Sequence, residues 1–296
     1  MEKSELIEAL FSKDEEKRRL AVTDICTVVP DRIRSLSLAD KFLQHIELRP
    51  GVIPAVEKDI MIPALEAKED GTVSVQEKGD RLFFDEIQFN ALVTVSVPEV
   101  MQRSYAVIDR LTESAPRTIA RDMDTVFLRM LSYTPFQVSW KKRVRTLLTG
   151  GISYKTLLEG VLDVEKWRLD CKAVLVSSEV HRKNQKAFSE FTNNHPDIEI
   201  VRLVDTEIES VYFLSESRFL GYIADRVPFD FFNADQFVDG QAMYGWMLYR
   251  LSGMVVSNTR GVAKLPVTPL HVKFGRAISK IWNKIFSYKL KLVKKS

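Results

Sequence analysis

The chain has 296 residues, of which 45% are apolar and 28% are charged, and its formal net charge at pH 7 is +3. These proportions are ordinary for a folded globular protein and exclude disorder over the whole length. Its only two cysteines, Cys26 and Cys171, stand far apart in apolar surroundings, which excludes a disulfide framework and favours a reducing compartment.

The charge is unevenly distributed along the chain. Residues 261–296 carry nine basic and no acidic side chains, so the rest carries 34 basic and 40 acidic ones, a net charge of −6. The N-terminus is charged where a signal peptide would be apolar, and no apolar run approaches the ~18 residues of a membrane span. We therefore expect neither export by a signal peptide nor a transmembrane segment.

The first 51 residues favour helices. Residues 4–25 place Leu6, Ile7, Leu10 and Phe11 on one helical face, and residues 33–42 continue the pattern. The highly charged segment KDEEKRR follows that apolar face at residues 13–19. We predict an N-terminal helical arm over residues 1–51, separate from the compact domains.

The next segment, up to residue 84, has an extended pattern. The sequences IMIPAL and TVSVQ flank an Asp70-Gly71 turn, and a second turn follows at residues 78–80. Together they predict a long projecting β-hairpin. Pro54 and Pro63 argue against central positions in a sheet for these strands.

The strongest strand signal follows directly. Apolar residues alternate with polar ones from Ile87 to Val97, and Leu92 is the only apolar residue on the polar side. The pattern predicts a strand with one buried face, ended by Pro98. Two helices are predicted next, over residues 99–111 and from Pro116 onward. The second carries an apolar stripe typical of a buried helix: Ile119, Met123, Val126, Phe127 and Met130.

The second half of the chain alternates between helices and strands, which predicts a small α/β domain. We expect helices at 156–169 and 180–191 and strands at 172–178, 198–204 and 211–214. The segment 240–253 then leads into a compact hairpin, in which strands 254–257 and 262–265 are joined by a turn from Asn258 to Gly261.

No motif in the sequence indicates catalysis, a cofactor or a metal. The segment GGISYKT resembles a phosphate-binding loop, but Thr149 and Tyr154 stand where glycines are needed. The four histidines are scattered, and FDFFNADQFVD lacks the spacing and the glycine of a calcium loop. No serine lies in a nucleophile elbow. We expect a protein that is not an enzyme and has no cofactor.

The C-terminal tail, residues 268–296, is basic and amphipathic. Five apolar residues share one helical face: Phe274, Ile278, Ile281, Trp282 and Ile285. The opposite face is lined by Lys273, Arg276, Lys280 and Lys284, and Lys289 and Lys291 follow. The pattern fits a terminal helix that packs on the body or a neighbour, contact with nucleic-acid phosphates, or binding to an anionic membrane surface.

The order of these elements, together with the words VYFLSESRFLGYIADRVPFDF and GMVVSNTRGVAKL, resembles the major capsid proteins of tailed phages, which have the Hong Kong ninety-seven or Johnson fold. The resemblance implies an α+β fold. Its parts would be an N-terminal arm (1–51), an extended E-loop hairpin (52–84), a discontinuous peripheral domain with a spine helix (85–149 and 240–267), an axial domain (150–239) and the tail (268–296).

The resemblance also implies a function and partners. The protein would self-assemble as pentamers and hexamers into an icosahedral virion shell that encloses double-stranded DNA and is built in the host cytoplasm. It would contact a portal, possibly a decoration protein and, because the arm starts near Met1, a separate scaffold protein. The tail would contact packaged DNA without reading its sequence, through Lys273, Arg276, Lys280, Lys284, Lys289 and Lys291, or it would contact a neighbour.

Contacts between subunits are expected at the hairpin residues Lys58, Lys68, Asp70 and Lys78. One branch of the family joins an E-loop lysine to an asparagine, and Asn258 is formally available for this. Two alternatives remain: an encapsulin-like compartment that holds protein cargo, and an adaptor that binds nucleic acid or a membrane surface through its tail.

Overall fold

The computed structural model describes residues 3–12, 14–48, 51, 55–96, 107–134, 151–204, 210–233, 236–238 and 241–267. The chain divides into two compact units. The first unit comprises Met1–Tyr133 and Ser217–Thr259, and the second comprises Thr134–Glu216 and Arg260–Ser296. Each unit therefore contains segments that lie far apart in sequence.

The helices of the first unit are mostly N-terminal. They are α1 (Lys3–Leu10), α2 (Glu15–Leu36), α3 (Leu38–Phe42), α4 (Ala115–Tyr133) and the short helix Ser217–Leu220. Asp14 separates α1 from α2, because its side chain accepts the Glu16 amide as an N-cap. α2 buries Ala21, Ile25 and Val29. The N-terminal helices are thus part of the first unit, whereas the sequence pattern predicted a separate arm.

A seven-stranded sheet forms the other layer of the first unit. Its strands are β1 (Gln44–Glu47), β3 (Ala64–Ala67), β4 (Val73–Gln76), β6 (Ile87–Ser96), β10 (Tyr222–Asn233), β11 (Gln236–Val238) and β12 (Gln241–Val256). The order is β1-β10-β12-β3-β4, and β6 and β11 also pair with β12. Only β1 and β10 are parallel. β12 is therefore the central strand.

Helix α4 provides the apolar layer in the core of the first unit. The five predicted stripe residues are all buried: Ile119, Met123, Val126, Phe127 and Met130. A helix start at Pro116 is wrong, since a π-helical turn at Arg110–Ser114 runs directly into α4. Pro116 is tolerated there because the wider turn replaces the regular hydrogen bonds around the missing amide. Most of the predicted helix at 99–111 lies outside the described residues.

The predicted long hairpin is present, and its pairing is interrupted. β3 pairs with β4 around the 70–71 turn, and further along the same two arms β2 (Ala55–Glu57) pairs with β5 (Arg81–Phe83). Gly71 has a φ of 71° in that turn, which glycine adopts without strain. β3 lies between β4 and β12 and is buried throughout, so the expectation of a non-central strand is wrong. Pro63 precedes β3, so the ladder loses no donor.

The second unit is an α/β arrangement with its own core. Its helices are α5 (Tyr154–Glu165), α6 (Ser178–Lys183) and α7 (Gln185–Asn194), and its sheet has the order β13-β9-β7-β8. These strands are β7 (Cys171–Ser177), β8 (Glu199–Leu203), β9 (Ser210–Ser215) and β13 (Val262–Pro266). A Cβ on Gly160 would lie 2.3 Å from the Phe213 ring, so glycine allows α5 to approach the sheet closely.

The predicted hairpin at 254–265 is wrong. Its two strands lie in different sheets: β12 pairs with β3, β6, β10 and β11, and β13 pairs with β9. The reason is the connection, a 3₁₀ turn at Thr259–Gly261. The Thr259 hydroxyl donates to the Pro63 carbonyl at 2.8 Å, which holds the turn at the entrance of β3.

The connection at 259–261 also moves the domain boundaries. β10, expected in the axial domain at 150–239, belongs to the first unit, and β13, expected in the peripheral domain, belongs to the second. β13 completes a sheet whose other members lie far earlier in the sequence, whereas β10 pairs with β12, which follows it closely. The sequence pattern predicted β13 with the wrong partner, and it predicted no strand at 222–233. Within the described ranges, no helix combines the length and hydropathy needed to cross a membrane.

Candidate functional site

The hairpin exposes apolar side chains, which we call the hairpin surface: Ile60, Met61, Val75 and Phe83. Their exposed fractions are 56%, 78%, 49% and 52%. Ile60 and Met61 lie in the loop that interrupts the two ladders, and the Met61 amide donates to the Asp59 carboxylate. Exposed apolar groups on an extended element are typical of a surface that another protein covers.

Three of the four charged residues predicted to contact other subunits already have partners within the hairpin or beside it. Lys58 donates to the carbonyl of Ile62 at 2.8 Å. Lys68 pairs with Glu66 at 2.9 Å and with Asp85 at 3.3 Å. Burial alone would lower the pKa of Lys68, but these two carboxylates raise it. Lys78 is exposed.

Asp70, the third residue with a partner, helps to shape the hairpin turn. Its carboxylate accepts the Thr72 amide at 2.9 Å, and hydrogen bonds from Thr72 lower the pKa of Asp70. The turn is also held by Arg129 of α4, whose guanidinium donates to the Gly71 carbonyl. The charged residues therefore stabilise the hairpin, and its apolar residues are the ones left exposed. The six predicted tail contacts, Lys273 to Lys291, lie outside the described residues.

A buried charged cluster lies beneath the sheet of the first unit. We call Asp40, His45, Asp225 and Arg250 the buried quartet; three of its members are buried, and His45 lies at its edge with a 33% exposed side chain. The Arg250 guanidinium donates to both oxygens of Asp40, at 2.6 and 2.8 Å, and to both oxygens of Asp225, each at 2.9 Å. Its remaining N–H points at the Met123 sulfur, 3.6 Å away. All five donors of the guanidinium are thus used.

His45 completes the buried quartet from strand β1. Its ring nitrogens lie 3.1 Å from Asp40 and 3.5 Å from Asp225. Hydrogen bonds to Asp225 and Asp40 raise the pKa of His45 to about 9. Burial alone would raise the pKa of Asp225, but His45, Arg250 and Ser252 lower it to about 2. At neutral pH the quartet therefore contains two positive and two negative groups.

The sequence analysis did not identify the buried quartet, although one signal was available. Arg250 occupies the same strand face as Trp246 and Leu248, which are buried, so it is a charge at an inward position. The two carboxylate partners of His45 come from α3 and β10. No local pattern brings those elements together.

The described residues offer little that could support catalysis. Within the ranges that the structure describes, no group of histidine, cysteine, aspartate and glutamate is arranged to hold a metal ion. The Cys171 thiol is buried, and burial raises its pKa to about 12, which opposes a thiolate nucleophile. The carboxylates of the buried quartet are occupied by Arg250 and His45, which suits a structural role.

Comparison with known proteins identifies the fold. No protein-family model and no curated protein sequence matches the chain. The virus-like particle protein of Pyrococcus furiosus is 12% identical and superposes with a TM-score of 0.52, over 82% of this chain and 98% of its own. A chain from Mycobacterium phage Cain is 11% identical, with a TM-score of 0.52, over 79% of this chain and 90% of its own. A chain from Microbacterium phage Oxtober96 is 10% identical, with a TM-score of 0.51 and coverages of 79% and 91%.

These relatives align over nearly their whole length at very low identity, so the likeness is one of fold. The mixed layers of the first unit and the α/β second unit are both included in an overlap of this extent. The chain has the α+β fold of the Hong Kong ninety-seven, or Johnson, capsid proteins.

Proposed function

We propose that the protein is a structural major capsid protein of a tailed phage, which self-assembles as pentamers and hexamers into an icosahedral shell around double-stranded DNA. The observation that carries the proposal is the shared fold over 98% of the virus-like particle protein. The hairpin surface supports it independently, because a shell subunit needs exposed apolar groups that neighbouring subunits cover.

The two units would have different tasks in such a shell. The first unit would act as the peripheral domain, with α4 as its spine and the 52–84 hairpin as the extended E-loop. The second unit would act as the axial domain. This assignment follows the observed units, so β10 is counted with the peripheral part and β13 with the axial part.

The hairpin surface is the proposed contact between subunits. Met61 is 78% exposed and Phe83 is 52% exposed. Burying either side chain at an interface would stabilise that interface by about 1.5–3 kcal/mol. Lys58 and Lys68 are held inside their own chain, so their contribution to the contact is to keep the hairpin in shape. Lys78 remains available at the surface.

The tail would contact the packaged DNA in this proposal. From residue 268 onward it has eight basic and no acidic side chains. Such a segment neutralises phosphates without reading bases, and the contact weakens with added salt. Location in the virion and contacts with a scaffold, a portal and a decoration protein belong to the same proposal.

The test is the size of the purified protein, measured by mass photometry and negative-stain electron microscopy, alone and co-expressed with neighbouring genes. We expect closed shells, or rings of five and six subunits. Met61→Lys should abolish them and Met61→Leu should keep them, since only the first places a charge on the hairpin surface. A species that stays monomeric in both preparations would overturn the proposal and favour the adaptor alternative.

A protein compartment without DNA is the second candidate. It is favoured by the match to a virus-like particle protein, which spans more of this chain than either phage chain does. Nuclease treatment of purified particles separates the two candidates. Nuclease-resistant DNA inside the particles supports the capsid, and particles that contain only protein support the compartment.

A further inference from the structure

Among the residues that the structure describes, the sheet of the first unit has one covered and one open face. Along β6 the residues Ile87, Phe89, Ala91, Val93 and Val95 are buried, and the residues between them are exposed or half-buried. Along β12, Trp246, Leu248 and Arg250 share the buried side. The opposite side of β6, β10 and β12, which we call the outer face, is directed to solvent.

The outer face carries a row of apolar side chains across three strands. Leu92 on β6 lies opposite Met247 on β12, and Met247 lies opposite Phe232 on β10. Leu92 is 43% exposed and Phe232 is 47% exposed. Leu92 is the one apolar residue on the polar side of the alternating pattern of β6. Its register partners Met247 and Phe232 are apolar too, so Leu92 belongs to a larger apolar surface.

Two further rows extend this surface. Tyr249 lies between Asn90 and Asp230, and its ring meets that of Phe232 edge to face at 5.8 Å. Leu251 lies between Gln88 and Val227. In each of the three consecutive rows, the residue on the middle strand, β12, is therefore apolar: Met247, Tyr249 and Leu251.

The three rows carry a single charge, which is negative. Asp230 is the only charged residue in their register pairs, and it is exposed. Its carboxylate accepts the Tyr249 hydroxyl at 2.7 Å, which fixes both side chains on the outer face. An apolar partner with basic side chains would meet no like charge there.

The chain itself contains a segment of that chemistry. Residues 268–296 carry eight basic and no acidic side chains, and the apolar stripe from Phe274 to Ile285 covers eleven residue steps. As a helix, this stripe would be about 16 Å long. The three rows between residues 247 and 251 of β12 span about 14 Å of strand. The stripe and the rows match in length.

We propose that the outer face docks the C-terminal tail of a second copy of the chain, with the stripe Phe274 to Ile285 lying along β12 over the three rows of Met247, Tyr249 and Leu251. The proposal rests on the shell function and names the partner of this surface. A contact from the tail of one copy to the sheet of the next joins two different patches, which is the kind of contact that closes into rings. The basic face of the tail stays turned away from the sheet and free for DNA.

Cysteine cross-linking of the full-length chain tests the docking. Leu92→Cys combined with Ile281→Cys, oxidised mildly and analysed on a non-reducing gel, should give a ladder of linked multimers. Leu92→Cys combined with Lys280→Cys is the matched control, because the helical periodicity of the sequence predicts Lys280 on the face opposite the stripe. We expect at least a fivefold higher yield from the Ile281 pair. Equal yields, or a product linked only within one chain, would overturn the proposal.

A second readout does not depend on new cysteines. Met247 should be protected from peroxide oxidation in particles of the unmodified chain and should become oxidised several-fold faster after Ile281→Ser. An unchanged rate of oxidation would contradict the docking. Electron microscopy of the same samples separates the two proposals: intact shells without protection overturn only the docking, and the absence of any particle overturns the shell function.

Discussion

The first unit contains two clusters of ion pairs that use the same chemistry in opposite surroundings. In the buried quartet, the side chains of Arg250, Asp40 and Asp225 are at most 4% exposed. On the hairpin, the side chains of Lys68 and Asp85 are 36% and 39% exposed. Burial makes the first cluster depend on Arg250, Asp40 and Asp225, whereas water can reach Lys68 and Asp85 in the second.

Removing the arginine of the buried quartet should have the largest effect. Arg250→Met leaves Asp40 and Asp225 buried without their main partner, which should lower the free energy of unfolding by about 3–5 kcal/mol. Urea titration followed by circular dichroism measures this. A triple variant that also carries Asp40→Leu and Asp225→Leu should regain much of the loss, because both buried carboxylates are then removed and the partly exposed His45 can lose its proton. A single variant that costs under about 1 kcal/mol would contradict the account.

A capping contact between two helices of the first unit should have a smaller effect. Asp124 of α4 accepts the Leu38 amide at 2.6 Å and the Ser37 hydroxyl at 3.0 Å, and so caps the start of α3. Asp124→Ala should cost about 1–2 kcal/mol. Asp124→Asn keeps an acceptor oxygen and should cost less, as measured by the same titration. Equal losses in the two variants would show that the cap is not the cause.

The protonation of His45 should make stability depend on pH. Its pKa is raised to about 9, so its contribution is complete below pH 6.5, the unperturbed value, and is lost as the pH rises through 9. Because the His45 side chain is 33% exposed, solvent screening reduces the expected loss to about 1–2 kcal/mol. Urea titrations at pH 7 and pH 10 measure it. His45→Gln should remove this pH dependence, and a variant that retains it would show that other groups cause it.

The hairpin cluster should give the smallest effect. Lys68→Met should change the free energy of unfolding by less than about 1 kcal/mol, because Asp85 stays accessible to water and the buried Glu66 keeps its hydrogen bond from Ser74. The effect should shrink further in 1 M salt, where charges are screened within about 3 Å. Arg250→Met in the same salt series is the control, and its cost should hardly change. If Lys68→Met lowered the free energy of unfolding more than Arg250→Met, the comparison between the hairpin cluster and the buried quartet would be wrong.

The sequence predicted those parts of the fold that depend on neighbouring residues. The stripe on α4, the alternation along β6 and the turn at 70–71 follow from local periodicity and turn chemistry. The pairing of β12 and β13 could not be predicted in this way, because each joins strands that lie more than 25 residues away, such as β6 and β9. The buried quartet could not be predicted for the same reason, since Asp40 and Arg250 are 210 residues apart.

The separation between Asp40 and Arg250 also has a consequence for how the chain is made. At about 5–20 residues per second, a ribosome adds the 210 residues between them in about 10–40 s. During that interval Asp40 of α3 has been synthesised but its partner Arg250 has not. The two longest strands of the first unit, β10 and β12, are also still incomplete. The first unit therefore cannot complete its folding until the last quarter of the chain has been synthesised. This interval is a defined period in which a chaperone can hold the nascent chain.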